Sequence, residues 1–257
     1  MQKTAITITV TTLVLGVFGA FLRWLQIANA YEAETGCITP WHGTTIVLVI
    51  SCVLAVAALL ALDLLWLRQY TGGDDISALR SASRLPAALS WVFGVVFALC
   101  ACVLMFTSAY SKYPLAQRLL GAFGILAGLS FPFLPGKQDG SGRTLGRAAA
   151  TTVTLFCCFW LVCCWRSHSA NPAVWAFVTE VLAISASTVA FYYIASFHYG
   201  AAHGGRALPA VQLALLFDLV TLFDERSTVQ GLMLLLCIGM LLLLEFLLIE
   251  NMKETRH

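Results

Sequence analysis

The sequence predicts an all-α fold, a polytopic transmembrane helix bundle of about eight spans, and three observations predict it. Of 257 residues, 60% are hydrophobic and only 11% are charged, and the mean hydropathy is +0.85, whereas globular domains carry roughly 25% charged residues. The charges gather in short clusters, and the apolar runs between them approach the length of about 20 residues that spans a hydrocarbon core. The connections are also short, which leaves no sizeable extramembrane domain and reads as one transmembrane helical domain over 1–257.

The first run, 5–22, follows Lys3 and precedes Ala28-Asn29-Ala30, a small-x-small sequence of signal-peptidase type. Its apolar stretch exceeds the usual signal-peptide length of about 7 to 15 residues, and Arg23 and Trp24 separate it from the small residues, so it is expected to be a retained first span. The remaining runs are 44–67, 86–109, 119–134, 148–165, 174–197, 208–223 and 229–249, each bounded by Gly, Pro, Asn or charges that punctuate structure. Runs four and seven are short, so tilted, re-entrant or interfacial geometry is open for either, and the count is eight, seven or six.

Cytoplasmic connections retain Lys and Arg. With eight spans, ten of the fifteen fall on the side of the N-terminus and five on the other. Both termini are therefore expected in the cytoplasm, in a cell-membrane protein. Tryptophan favours the membrane-water interface, and Trp24, Trp41, Trp165 and Trp175 land at outer span ends, Trp66 and Trp91 at inner ones.

Net charge of +2 and the lack of a basic, aromatic-interleaved patch exclude nucleic acid as a partner. Eight of the nine cysteines fall in or beside apolar runs, where cysteine behaves as a small hydrophobe. The doublets Cys157-Cys158 and Cys163-Cys164 lack C-x-x-C spacing and histidine neighbours, so no metal is expected. Cys37 lies in a polar loop, and a disulfide to Cys163 or Cys164 is left open. The histidines sit in loops or at span ends, which disfavours haem, and no other cofactor is indicated. The glycines at 136, 140, 142 and 146 lack the order of a phosphate-binding loop. Gly124 and Gly128, preceded by Gly121, form a G-x-x-x-G pattern that permits close helix approach in lipid.

Charges inside spans are costly, face the protein interior and are functional candidates. Glu180 and Asp218 both fall roughly 8 to 11 Å below the outer ends of spans six and seven, at a rise of 1.5 Å per residue. Arg23 and Arg166 come from the outer ends of spans one and five, so these four residues are the candidate ligand-binding set for an outward-facing polar cavity. Glu180, Ser187, Thr188 and Phe191 repeat at helical spacing, a stripe that continues to His198. On the inner side Asp63 and Glu245 lie near the cytoplasmic edge, with Arg68 and Lys253 as expected partners. Ser187, Tyr192, His198, Asp63 and Glu245 are the secondary polar candidates; interface anchoring already accounts for the tyrosines. The competing reading makes the charges interhelical glue, with Arg23 paired to Glu180 or Asp218.

Three stretches carry a family resemblance: Arg23-Trp24-Leu25-Gln26 leading to Glu34-Thr35-Gly36, Ser169-Ala170-Asn171-Pro172 followed by Glu180-Val181-Leu182, and Ala190-Phe191-Tyr192-Tyr193. Together they resemble uncharacterised multi-pass integral membrane proteins of anaerobic Firmicutes across nearly the whole chain, with Cys37 in place of an apolar residue. The resemblance implies a bacterial source and interest in Arg23, Asn171 and Glu180, and it implies no reaction.

Two functions follow as expectations. One is binding or transport of a small polar or charged solute. The other is a structural or regulatory membrane subunit that contacts a protein partner or a second copy of itself. No nucleophile stands beside a base, so an enzyme is not expected.

Overall fold

A computed structural model describes residues 2–32, 37–39, 41–67, 70–71, 76–80, 84–110, 113–136, 143–168, 174–201, 203–224, 226–251 and 253–254. It is an all-α bundle. The helices are α1 (Gln2–Ala30), α2 (Gly43–Leu67), α3 (Leu85–Thr107), α4 (Pro114–Ser130), α5 (Arg143–His168), α6 (Val174–Tyr199), α7 (Gly204–Val220) and α8 (Thr228–Glu250). With the 3-10 turns that extend α4 and α7, eight helices among the described residues are long and apolar enough to cross a membrane.

Both short runs prove to be full-length segments. The fourth extends over Pro114–Phe133 and the seventh over Gly204–Phe223. Gln117, Arg118 and Arg206 make the upstream turns look like loop in sequence, yet all three lie inside helices. Pro114 begins α4 at a position where its missing N–H leaves no intrahelical bond unmade.

Successive helices run up and down. One face carries both described chain ends: β3 (Tyr70–Thr71) pairs antiparallel with β4 (Lys253–Glu254), and Asn251 Nδ2 donates to the carbonyls of Ala78 and Arg80 at 3.0 and 2.7 Å. It is called the terminal face below. The far face carries the antiparallel ribbon of β1 (Tyr31–Glu32) with β2 (Cys37–Ile38), and the Arg118 to Ser108 hydrogen bond of 2.9 Å between α4 and the end of α3.

Helices α7 and α8 form the centre: 67% and 72% of their most apolar windows are buried, against at most 39% in the other six. The outer helices present bare apolar side chains, such as Val53 and Leu54 of α2 at 62% and 64% exposure. Apolar surface on that scale suggests contact with a lipid bilayer. The interior is packed with aromatic and aliphatic side chains, including Phe97, Phe131, Phe156 and Phe191, whose rings meet in a chain of contacts 5.0 to 6.5 Å between centroids.

Trp24, Trp41, Trp91 and Trp165 are exposed near helix ends, and Trp160 is buried inside the bundle. The Trp66 and Trp175 side chains, Arg68, Asn171 and the 33–36 and 169–173 stretches lie outside the described residues.

Candidate functional site

The polar residues fall into two groups at opposite ends of the bundle, and the far-face group begins with Arg23. The last turns of α1 bring Arg23 into the interior, where it is 1% exposed. Its Nε donates to Asp224 Oδ1 at 2.6 Å, and its Nη1 donates to Gln26 Oε1 at 2.6 Å, one helical turn on. Gln26 Nε2 donates to Thr45 Oγ1 of α2 at 3.0 Å, and Thr45 in turn donates to the Thr39 carbonyl at 3.2 Å.

The local chain path explains why Asp224 is available. A 3-10 turn at Thr221–Phe223 closes α7, and Asp224 follows it in extended conformation before Ser227 caps α8 by accepting from Gln230 N at 3.3 Å. Asp224 Oδ2 accepts from Thr179 Oγ1 of α6 at 2.7 Å and from Thr221 Oγ1. Arg226 Nη2 donates to the carbonyl and hydroxyl of Thr221 at 2.7 and 2.8 Å and lies 3.7 Å from Asp224 Oδ2. A single carboxylate thus ties α1, α6 and the α7–α8 turn together, with α2 joined through Gln26.

Arg226 also borders a cavity of about 130 Å³ between α4, α5, α6 and α8. Glu180 lines it, with Tyr113, Gln117, Gln230 and Trp160. The Arg166 guanidinium lies over the Tyr113 ring at 5.7 Å, so Arg166 meets the cavity through that ring. The lining therefore combines an acid, a base, two amides and a phenol against an indole.

The four residues expected to converge are consequently split. Glu180 lines the cavity, and Arg166 lies over the ring of Tyr113, which also lines it. Arg23 pairs with Asp224 rather than with Glu180 or Asp218, because the 3-10 turn carries Asp224 into its reach. Asp218 lies deeper in α7, fully buried, with Ser187 Oγ donating to its Oδ2 at 2.7 Å and its Oδ1 without a hydrogen bond. Ser187 therefore has a definite partner, whereas its neighbour Thr188 only donates back to the Ile184 carbonyl at 2.7 Å.

At the terminal face the expected pairings of Asp63 and Glu245 with Arg68 and Lys253 fall on side chains outside the described residues, and the contacts described there are with neutral groups. Asp63 faces Gln212 of α7 and Glu245 faces Thr12 of α1.

His198 sits in the last turn of α6, is 2% exposed, and has Nε2 3.0 Å from the Leu134 carbonyl. Its ring packs on Gly146 so closely that a Cβ there would stand 2.5 Å from Nδ1. Gly146→Ala is expected to displace the ring and cost about 1 to 3 kcal/mol, measured as a lower thermal unfolding midpoint in detergent. Tyr192 is 61% exposed, and its ring meets that of Tyr193 edge-on, 5.6 Å between centroids. Cys163 and Cys164 are free thiols, and the Cys37 side chain lies outside the described residues. Among the described residues no cluster of three or more His, Cys, Asp and Glu side chains is arranged to hold a metal.

Three of these contributors escape a reading of the sequence. Asp224 lies just past a span in what reads as loop, while Gln212 and Thr12 carry no charge. An uncharged amide or hydroxyl within an apolar run was the available signal. Comparison with family models, curated proteins and solved structures finds no match to this chain.

Proposed function

We propose that this multi-pass protein of the cell membrane, with both termini in the cytoplasm, binds or carries a small zwitterionic or otherwise polar solute in the far-face cavity. The observation that supports this reading is the placing of Glu180 and Arg226 on one cavity with Gln117 and Gln230 between helices α4, α6 and α8. A carboxylate and a guanidinium recognise an ammonium and a carboxylate respectively through charge-assisted hydrogen bonds, the stronger class of such contacts. The Trp160 indole supplies an apolar wall, as small-ligand sites commonly do.

The test is ligand-induced thermal stabilisation of the purified protein across a panel of small amino acids, betaines, polyamines and dicarboxylates. A zwitterion is expected to raise the melting midpoint in a saturable way. Glu180→Gln and Arg226→Gln are each expected to weaken that response about tenfold or more, since a hydrogen bond to a charged group contributes about 1.5 to 3 kcal/mol. An undiminished response in both variants, or none to any member of the panel, removes the proposal.

The second reading, a structural or regulatory subunit with charges as glue, draws on the closed Arg23–Asp224 pair, which resembles an interhelical clamp more than an open site. It predicts a partner protein, or a second copy, that copurifies stoichiometrically. It also predicts that variants of Arg23 lose expression before they lose any ligand response.

A further inference from the structure

Near the terminal face, four helices bring five polar side chains together in the interior. Thr9 and Thr12 are three residues apart and share a face of α1. Asp63 comes from α2, Gln212 from α7 and Glu245 from α8, and these three are 2%, 1% and 0% exposed. Thr12, Asp63, Gln212 and Glu245 all lie within the membrane-spanning windows of their helices.

The hydrogen bonds there leave an excess of acceptors. The Gln212 amide nitrogen, in the orientation that satisfies both groups, donates to the two oxygens of Asp63 at 3.0 and 3.2 Å. The Thr12 hydroxyl is divided between the Ile8 carbonyl at 3.2 Å and Glu245 Oε1 at 3.4 Å. Glu245 also lies against Thr9 and Gln212 and within electrostatic reach of Asp63, yet its buried Oε2 makes no hydrogen bond, and neither does Thr9 Oγ1. Among the described residues no Lys, Arg or His forms an ion pair with either carboxylate.

Two buried carboxylates with no basic side chain bound to them are expensive in a low-dielectric interior. The far-face carboxylate Asp224 meets that problem with two guanidiniums. Among the described residues Asp63 and Glu245 have neutral partners alone, and the orphaned Glu245 oxygen is buried too deeply for bulk water to satisfy it. Carboxylate, hydroxyl and amide oxygens from several helices are the ligand types that hard cations take.

We propose that Asp63, Glu245, Gln212, Thr9 and Thr12 form a binding site for a dehydrated monovalent cation of the sodium class. The five side chains carry seven oxygens, of which the two on Asp63 already accept from the Gln212 amide, leaving five unengaged by that amide, below the six to eight that a calcium ion takes. A monovalent ion sheds its water at far lower cost and compensates the carboxylate that lacks a donor. Occupancy joins α1, α2, α7 and α8 at their terminal-face ends, so the ion stabilises the central helices of the bundle. The site is distinct from the far-face cavity and does not depend on what binds there.

The experiment is thermal unfolding of the purified full-length protein, without added solute, in chloride salts of sodium, lithium, potassium, choline and calcium at fixed pH and ionic strength. Sodium is expected to give a saturable rise in the midpoint that choline does not give. Glu245→Gln is expected to abolish the rise, and Thr12→Val to shift its half-saturation to about tenfold higher sodium. Thr12→Val keeps the shape of the side chain and both carboxylates, and it carries the test if Glu245→Gln fails to fold. Equal midpoints in sodium and choline overturn the proposal and leave the carboxylates held by protons alone. Stabilisation by calcium only, or a sodium response unchanged in Thr12→Val, overturns it equally.

Discussion

Asp224→Ala is expected to destabilise the bundle by about 3 to 5 kcal/mol, the cost of stranding a buried charge by removing its partner. Arg23 is the largest side chain buried almost without exposure, and its Nε has Asp224 as its carboxylate partner. Removing that carboxylate leaves two guanidiniums, Arg23 and Arg226, near one another and takes an acceptor from Thr179 and Thr221. The expected readout is a large fall in the unfolding midpoint or in the yield of monodisperse protein. Asp224→Asn keeps one acceptor oxygen and the shape, and should fall between wild type and Asp224→Ala. The paired replacement Arg23→Met with Asp224→Leu should recover much of the loss, because exchanging a buried ion pair for apolar residues of similar size is often neutral or favourable. A cost under about 1 kcal/mol for Asp224→Ala, the range of exposed ion pairs, would contradict the clamp. So would a double variant as unstable as the single one.

The same residue shows where sequence reasoning stops. Hydropathy and charge clustering suffice to find the helices, because lipid demands long apolar runs whatever their neighbours. Span edges slip at α4 and α7, where a membrane helix tolerates Gln117, Arg118 and Arg206 in its terminal turns. Arg23 is recognisable as a charge at a span end, but its partner lies 201 residues away in a 3-10 turn. No local pattern encodes that contact. Asp63 and Glu245 were visible for the same reason as Arg23, and sequence proximity suggested Arg68 and Lys253 as counterions. The side chains of those two lie outside the described residues, and the structure places Gln212 and Thr12 beside the carboxylates, neutral residues that are silent in a reading based on charge.

Gly128→Leu is expected to prevent α3 and α4 from packing, with a cost of at least about 3 kcal/mol, at or beyond the top of the usual range for overpacking. These neighbours have the most extensive contact of any helix pair in the protein. Their backbones nearly touch, since a Cβ on Gly128 would stand 2.7 Å from both Ala98 N and Gly94 O, and one on Gly94 would stand 2.5 Å from Gly128 O. Gly121 meets Ala101 O and Met105 N at 2.8 and 2.9 Å in the same way. The obstruction is backbone on each side, so no side chain can rotate to make room. Small residues act this way in lipid, where helices gain nothing from hydrophobic association and depend on close contact. Gly124 faces Ala101 Cβ and the flexible end of Met233, so Gly124→Ala should cost less than Gly128→Ala. Gly43 has no atom within 4 Å of an added Cβ and lies at the start of α2, so Gly43→Ala should leave the midpoint unchanged or slightly higher. Thermal unfolding of the four variants in one detergent orders them, with Gly128→Leu lowest and Gly43→Ala highest. A Gly128→Leu midpoint equal to that of Gly43→Ala would mean that the α3–α4 seam does not hold the helices at backbone contact.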